Sequence, residues 1–359
     1  MKNAPFLNLV LAVVLAISVG SLLVAGRPIL LPIVTAVISV YIMVSMVEAL
    51  KRMPVLKHLP AAVLRILVLA VFVISFLALA LVLASTVREI ITALPGYEAN
   101  LIDRVERIAR QFDLEAQALW TQARAATLER LDLQALVLAV LGGFASVGMT
   151  VFLVVIYASF LLAERGGFNQ KIMAALTTEE RATKALKVVT EINTQIRQYL
   201  AVKTLINLVL GIISYAIMWL LGVDFALFWA ITIALLNYIP YLGSYIGVAF
   251  PVILSLGQFE TLPMTLALLG LLVSAQLCVG NVLEPRWIGR QLNMSPLVVL
   301  VALSVWAALW GIPGAILAVP MTSILIIVAS NFDSTRFLAV LLAERVEPAP
   351  PAPNHDGGV

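Results

Sequence analysis

Long apolar runs, almost free of charge, recur along this chain at 6–26, 29–50, 61–86, 137–163, 198–222 and 262–283. Each is close to the ~20 residues a helix needs to cross the ~30 Å hydrocarbon core of a bilayer. This feature limits the fold most, because in lipid every backbone N–H and C=O must be satisfied internally, and helices do that within one segment. Hydrophobic residues make up 62% of the chain and charged residues 12%, more apolar surface than a soluble core can hide. The expected class is an all-α integral membrane protein of about eight transmembrane segments. The first run leads through Arg27-Pro28 into the second without a small-residue cleavage site, so it reads as a span and not as a removed signal peptide. A single cysteine, Cys278, excludes an internal disulfide framework. A net charge of +3 gives no reason to expect a nucleic-acid partner.

Basic residues set the orientation. Lys51, Arg52, Lys57 and Arg65 crowd the loop after the second run, and the segment 164–203 is also basic, so both are expected on the cytoplasmic side with the two chain ends. The chain then divides into a three-span region (1–86), an extracytoplasmic amphipathic segment (87–136), a fourth span with a cytoplasmic amphipathic helix (137–203), a core (204–335) and a Pro/Gly-rich tail (336–359). In the outer segment Leu101, Val105, Ile108 and Phe112 share one helical face, as expected of a solvated helical hairpin packing on itself or on a neighbouring subunit. In the cytoplasmic helix, Thr177 or Thr178 is the candidate cap. Ala182, Leu186 and Val189 beside Lys184 and Lys187 form a basic amphipathic surface suited to anionic headgroups.

Two further apolar regions, 225–257 and 296–332, are interrupted. In "LLNYIPYLGSYIG" the arm from Phe225 to Ile239 has fifteen residues, about 22 Å of helix and short of a full crossing. Pro240 then removes a donor, and Gly243 and Gly247 permit a turn. The second region breaks at Gly311, Pro313 and Gly314, with Pro320 in its second arm; it is either re-entrant or two ordinary spans. Each region breaks at Ile-Pro, each follows a full span, and one crossing separates them, so they should open to opposite sides. Paired interruptions of this kind form a weak inverted repeat and point to a transport site near the bilayer midplane. Packing kinks in an ordinary bundle are the alternative.

Over these stretches, "LLNYIPYLGSYIG" and "NVLEPRWIGRQLNMSPLVVLVALSVWAALWGIPGAILAVP", the chain resembles the autoinducer-2 exporter family, also described as a permease family. The likeness covers nearly the whole chain in span layout and is specific from about Leu200 to Val328. It implies a prokaryotic inner-membrane protein that exports small solutes, with autoinducer-2 as the namesake cargo, sodium–proton exchange in some relatives, and homo-oligomers, pentamers among them. The matching positions are Asn237, Ile239, Pro240, Tyr241, Gly243 and Gly247, then Asn281, Glu284, Pro285, Gly289, Pro296, Gly311, Gly314 and Pro320. Ser244 stands where relatives often carry proline, which argues against a rigid turn at that residue.

The residues offer little for catalysis. The two histidines, His58 and His355, fall in a loop and in the tail, so no His-based metal cluster or triad is expected within the membrane. Neither a phosphate-binding Gly-rich loop nor paired carboxylates in a span is present, and no cofactor is expected. Between Thr204 and Leu283 the acids are Asp224 and Glu260, and from Gln291 to Ser330 there is no charge at all. Glu284 is the best-placed carboxylate: it either pairs with Arg286 or Arg290 or serves coupling or gating, as Asp224 and Glu260 also could.

Neutral polar groups suit a solute pathway better: Asn237, Tyr238, Tyr241, Tyr245 and Ser244 at the first break, and Gln276 and Asn281 on the span before the second. Any of these is equally fit as interhelical glue. Trp306 and Trp310 share a helical face whose expected cover is lipid or another subunit. The reading that follows is a transporter of small hydroxylated molecules working by alternating access. Its rivals are a cation–proton antiporter and a non-transporting oligomeric scaffold.

Overall fold

The computed structural model describes residues 4–54, 56–111, 151–164, 167–176, 178–259, 261–288, 293–332 and 335–344. The sequence expectations for Glu260, Thr177, Gly289 and Arg290, for the outer segment beyond 111 and for the tail from 345 lie outside the described residues. Regular structure among the described residues is entirely helical. The helices are α1 (Ala4–Ala25), α2 (Arg27–Arg52), α3 (Ala61–Gln111), α4 (Val151–Glu164), α5 (Phe168–Ala175) and α6 (Glu179–Leu220). They continue with α7 (Ala226–Leu236), α8 (Leu242–Gln258), α9 (Leu262–Cys278), a π-helical turn (Val279–Leu283), α10 (Glu284–Ile288), α11 (Pro296–Trp310), α12 (Ile312–Ser330) and α13 (Arg336–Leu342).

Among the described residues, five stretches are long and apolar enough to cross a membrane: Arg27–Arg52, Ala61–Asp103, Glu179–Leu220, Leu262–Trp287 and Ile312–Ser330. The remaining apolar helices, including α7, α8 and α11, are shorter. Large apolar side chains of α1 and α3, among them Leu15, Leu22, Ile66, Ile74 and Leu81, are left uncovered by the chain. Surface of that kind is stable in lipid and not in water.

Two helices run across the expected divisions. α3 continues unbroken for 51 residues from the third apolar run into the outer amphipathic segment, with Pro95 inside it. The cytoplasmic helix and the following span are likewise one 42-residue helix, α6, about 63 Å long. Thr178 takes the N-cap position of α6 in extended geometry without a side-chain capping bond.

α6 is the spine on which the rest is built. One hydrophobic core joins Ile196, Tyr199 and Leu200 of α6 to Ile38 of α2, Ile239, and the α11–α12 residues Leu303, Trp306, Trp310 and Ala318. A second core joins Ile206, Leu210 and Met218 of α6 to Trp229, Ile233, Val248, Leu268 and Leu272. A third packs α2 and α3 with α4 through Met43, Val47, Leu64, Val68, Val154 and Ala158. Polar bonds fix one end: Arg197 pairs with Glu48, the Tyr41 hydroxyl donates to Asn193 Oδ1 at 2.6 Å, and Asn331 Nδ2 donates to Glu191 Oε2 at 3.4 Å. The basic end of α2 and the basic half of α6 therefore share one side of the molecule.

Both interrupted regions are true hairpins. In α7–α8 the residues Asn237–Tyr241 form the bend, which lies against the middle of α6. In α11–α12 the break is a single residue, Gly311, with φ +70°. Trp310 at that tip donates its indole N–H to the Leu23 carbonyl at 3.0 Å, and the guanidinium of Arg27 lies beside Gly311. This tip thus reaches the α1–α2 turn, while its open end lies on the Glu191 side. The two hairpins point to opposite ends of the molecule. Trp306 and Trp310 are not presented to lipid or to a subunit: 6% and 1% exposed, they pack within the chain with ring centroids 5.2 Å apart and planes tilted by 55°, and Trp306 donates to Thr322 Oγ1 at 3.0 Å. Two indoles with satisfied N–H groups suit an interior face.

Candidate functional site

The first bend is forced by local chemistry. Pro240 has no N–H, and the chain turns through Tyr241 at φ 63°, ψ −58°, with Leu242 N–H donating back to the Pro240 carbonyl at 2.7 Å. A three-residue turn of this hand is rare and strained for a residue with a side chain. Phe225, at the start of α7, is the other described non-glycine residue with positive φ, at 57°. The short arm α7 is therefore held between two backbone outliers. Gly243 lets the second arm close on the first: a Cβ there would run into the Leu236 carbonyl and stand 2.9 Å from the Asn237 nitrogen. Gly314 does the same in the other hairpin, where a Cβ would run into the Trp306 carbonyl and stand 2.9 Å from Trp310 Cβ. At Gly247 there is more room: a Cβ there would stand 3.4 Å from Ile233.

What the first bend touches is polar. Asn237, buried, donates from Nδ2 to Asn207 Oδ1 at 2.8 Å, and Ser244 Oγ donates to Asn237 Oδ1 at 3.5 Å. Tyr238 meets Thr204 at 2.8 Å; Thr204 gives its own hydrogen to the Leu200 carbonyl, so Tyr238 is the donor. One helical turn from Asn207 on α6, Lys203 is 4% exposed and its Nζ lies 2.6 Å from Glu284 Oε1. Tyr199, also buried, completes the row. Tyr199, Lys203 and Asn207 recur at four-residue spacing and so occupy one face of α6.

Glu284 reaches that face because of the π-helical turn before it. The wider turn shifts the register of everything after it, and such turns recur at functional sites. Its partner is neither Arg286 nor a residue of its own loop but a lysine 81 positions away. Sequence reading missed Lys203 because it lies inside an otherwise apolar run; the Tyr-x3-Lys-x3-Asn spacing was the available signal.

The other predicted residues are dispersed. Tyr241 and Tyr245 are 50% and 76% exposed, and Pro240 is half-buried. Gln276 keeps a buried Nε2 without a partner among the described residues. Asn281 lies on the π-helical turn and is exposed; the interior partner expected for it is not found among the described residues. No hydrogen bond among the described residues joins the two breaks; Gly311, Pro313 and Gly314 stand at the α1–α2 turn, where Pro313 is exposed.

Asp224 serves the open end of the first hairpin. Its Oδ2 accepts from the Tyr97 hydroxyl at 2.7 Å and its backbone N–H donates to Gln258 Oε1 at 2.9 Å. Asn100 Nδ2 donates to the Gly257 carbonyl at 3.0 Å, and a Cβ on Gly257 would stand 2.7 Å from Tyr97 Cβ. The distal part of α3 is clamped across the mouth of the hairpin.

No group of three or more metal-ligating side chains occurs among the described residues. The arrangement offers hydrogen-bond donors and one buried cation at a backbone interruption inside apolar helices. That suits recognition of a polar solute and offers no nucleophile–base pair.

Comparison with known proteins agrees with this chemistry. The family model described as AI-2E family transporter matches residues 9–333. A candidate transport protein of Borreliella burgdorferi is 35% identical over 199 residues, so that the chain spans 55% of that relative's length and 55% of its own. YhhT of Escherichia coli (strain K12), also named as a candidate transport protein, is 31% identical over 283 residues, 77% of this chain and 78% of YhhT. The AI-2 transport protein TqsA of the same strain is 27% identical over 319 residues, 88% of this chain and 90% of TqsA.

Proposed function

The chain belongs to the AI-2E family of transporters, and on that premise we propose that it exports small polar solutes across the inner membrane by alternating access at the first bend. It is a multi-pass membrane protein of a transporter family. The observation that carries the finer reading is the buried Asn207–Asn237 pair at a strained backbone interruption. Irregular backbone at membrane depth persists only where protein or a water-filled cavity satisfies it. A pair of carboxamides there can exchange its single bond for those of a solute at little cost. The signal autoinducer-2 is the first cargo to test, since one relative bears the name AI-2 transport protein. The inverted sense of the two hairpins supports rocking of α7–α8 against a frame formed by α6 and α11–α12. A homo-oligomer in the bilayer, joined through the uncovered faces of α1 and α3, completes the proposal.

Cation–proton exchange fits less well, because Glu284, the acid that reaches the interior, is already occupied by Lys203. The test is efflux from cells that lack or overproduce the protein, with autoinducer-2 and a panel of small hydroxylated solutes. Overproduction should lower the retained amount of a transported solute, and Asn237→Leu should abolish that difference while the protein stays in the membrane with unchanged oligomeric size. Efflux equal in both strains for every solute would refute export. Loss of assembly alone in Asn237→Leu would favour the scaffold.

A further inference from the structure

We propose that the seam formed by Lys203, Asn207 and Asn237 binds a solute bearing a carboxylate or comparable anionic oxygen group, which takes the place of Glu284 as counter-ion to Lys203. The inference rests on the reading that the first bend binds cargo and names the chemical class of that cargo.

Three observations carry it. The first is a surplus of donors. The Lys203 ammonium has three N–H groups, and among the described residues one carboxylate, Glu284, faces it, at 2.6 Å. One turn further along α6, Asn207 Nδ2 is buried without a partner, its own oxygen already taken by Asn237. A buried donor without an acceptor is costly and calls for one. A group with two or more acceptor oxygens would answer both residues, since Lys203 and Asn207 lie on one face.

The second is the asymmetry of the ion pair. The side chain of Lys203 is 5% exposed and that of Glu284 is 30% exposed. Lys203 is fixed in the body of a 42-residue helix, whereas Glu284 begins a helix of five residues placed by a π-helical turn. Glu284 sits near the end of the Leu262–Trp287 span and is partly uncovered by the chain, so it can turn away from the pair; Lys203 is enclosed. Anion exchange at such a site keeps the buried charge neutral, so the incoming carboxylate meets a cation whose desolvation is already complete.

The third is the chemistry of the surround. Tyr238 and Ser244, at the bend, have hydroxyls within the same seam, and Tyr199 flanks Lys203. A hydroxylated acid would use the cation and these hydroxyls together. A wholly neutral solute would leave the ion pair shut and reach the carboxamides alone.

The test uses the full chain purified in detergent, with thermal unfolding followed at constant ionic strength against sodium chloride. Lactate, acetate and phosphate are the anionic probes; glycerol and ribose are the neutral ones. At least one anion should raise the unfolding temperature of the wild type in a saturable way. Lys203→Met should lose that rise, Lys203→Arg should keep it, and Glu284→Gln should reach half-saturation at lower anion concentration because the competing charge is gone. A purely structural pair predicts the reverse for Glu284→Gln, namely loss alongside Lys203→Met. Absence of any anion effect in the wild type, or its persistence in Lys203→Met, overturns the proposal. A rise with ribose alone, abolished by Asn237→Leu, would keep the solute-site reading and sink the anionic one. A lactate rise that obeys the variants, with no efflux of any solute from cells, would do the opposite.

Discussion

Adding one methyl group at Gly243 or Gly314 should damage this protein more than almost any other alanine substitution in its helices. At Gly243 the new Cβ collides with the Leu236 carbonyl and stands 2.9 Å from the Asn237 nitrogen; at Gly314 it collides with the Trp306 carbonyl and stands 2.8 Å from that carbonyl carbon and 2.9 Å from Trp310 Cβ. Most of these obstacles are backbone, so no rotamer change relieves them and the two arms of the hairpin must part. Overpacking usually costs about 1–3 kcal/mol. A clash with main chain inside a paired hairpin belongs at the upper end, about 3 kcal/mol, or about 4 °C in unfolding temperature for a chain of this length. Gly20 and Gly270 provide the control, since a Cβ at either meets nothing within 4 Å. There alanine should be neutral or stabilise by up to about 1 kcal/mol through helix propensity. The assay is heating of detergent-solubilised protein followed by size-exclusion chromatography of what stays folded. If Gly243→Ala and Gly314→Ala melted with Gly270→Ala, the closeness of the hairpin arms would be wrong and with it the geometry of both breaks.

Three other substitutions probe separate features. Glu284→Leu should destabilise by about 3 kcal/mol because it leaves a buried lysine uncompensated; Lys203→Met should cost less, since Glu284 is less enclosed, and the double variant should recover part of the loss, all read from the same melting curves. Tyr241→Gly should raise the unfolding temperature, because it removes about 1 kcal/mol of positive-φ strain at a half-exposed side chain; a fall would show that the ring is held by something else. Tyr97→Phe, which deletes the bond to Asp224, should cost about 1 kcal/mol or less and speed proteolysis at the Gly222–Asp224 turn; an unchanged cleavage rate would remove the clamp.

Both helix breaks were legible in the sequence, because Pro240 and the glycines around 243 and 311 have few other uses in an apolar run. Counting crossings led to the expectation that the hairpins open to opposite sides. Lys203 was not legible as the cation of a buried pair: its partner depends on a π-helical turn that no proline or glycine pattern announces, and a single lysine in a span reads as a boundary effect. Trp306 and Trp310 were seen to share a face, but what covers that face is decided by α1, α2 and α12, distant in the chain. The change of composition after residue 86 looked like a boundary, yet a helix can leave an apolar medium without ending. α3 does so, with Pro95 and Gly96 carried inside it.

That continuous α3 has a mechanical meaning. A rod of 51 residues, about 76 Å, is riveted near its far third to the mouth of the first hairpin by Tyr97, Asn100 and the notch at Gly257. Tilting α7–α8 must swing this boom sideways or shear its rivets. Whatever grips the distal end of the boom therefore has leverage over a bend buried deep among the helices.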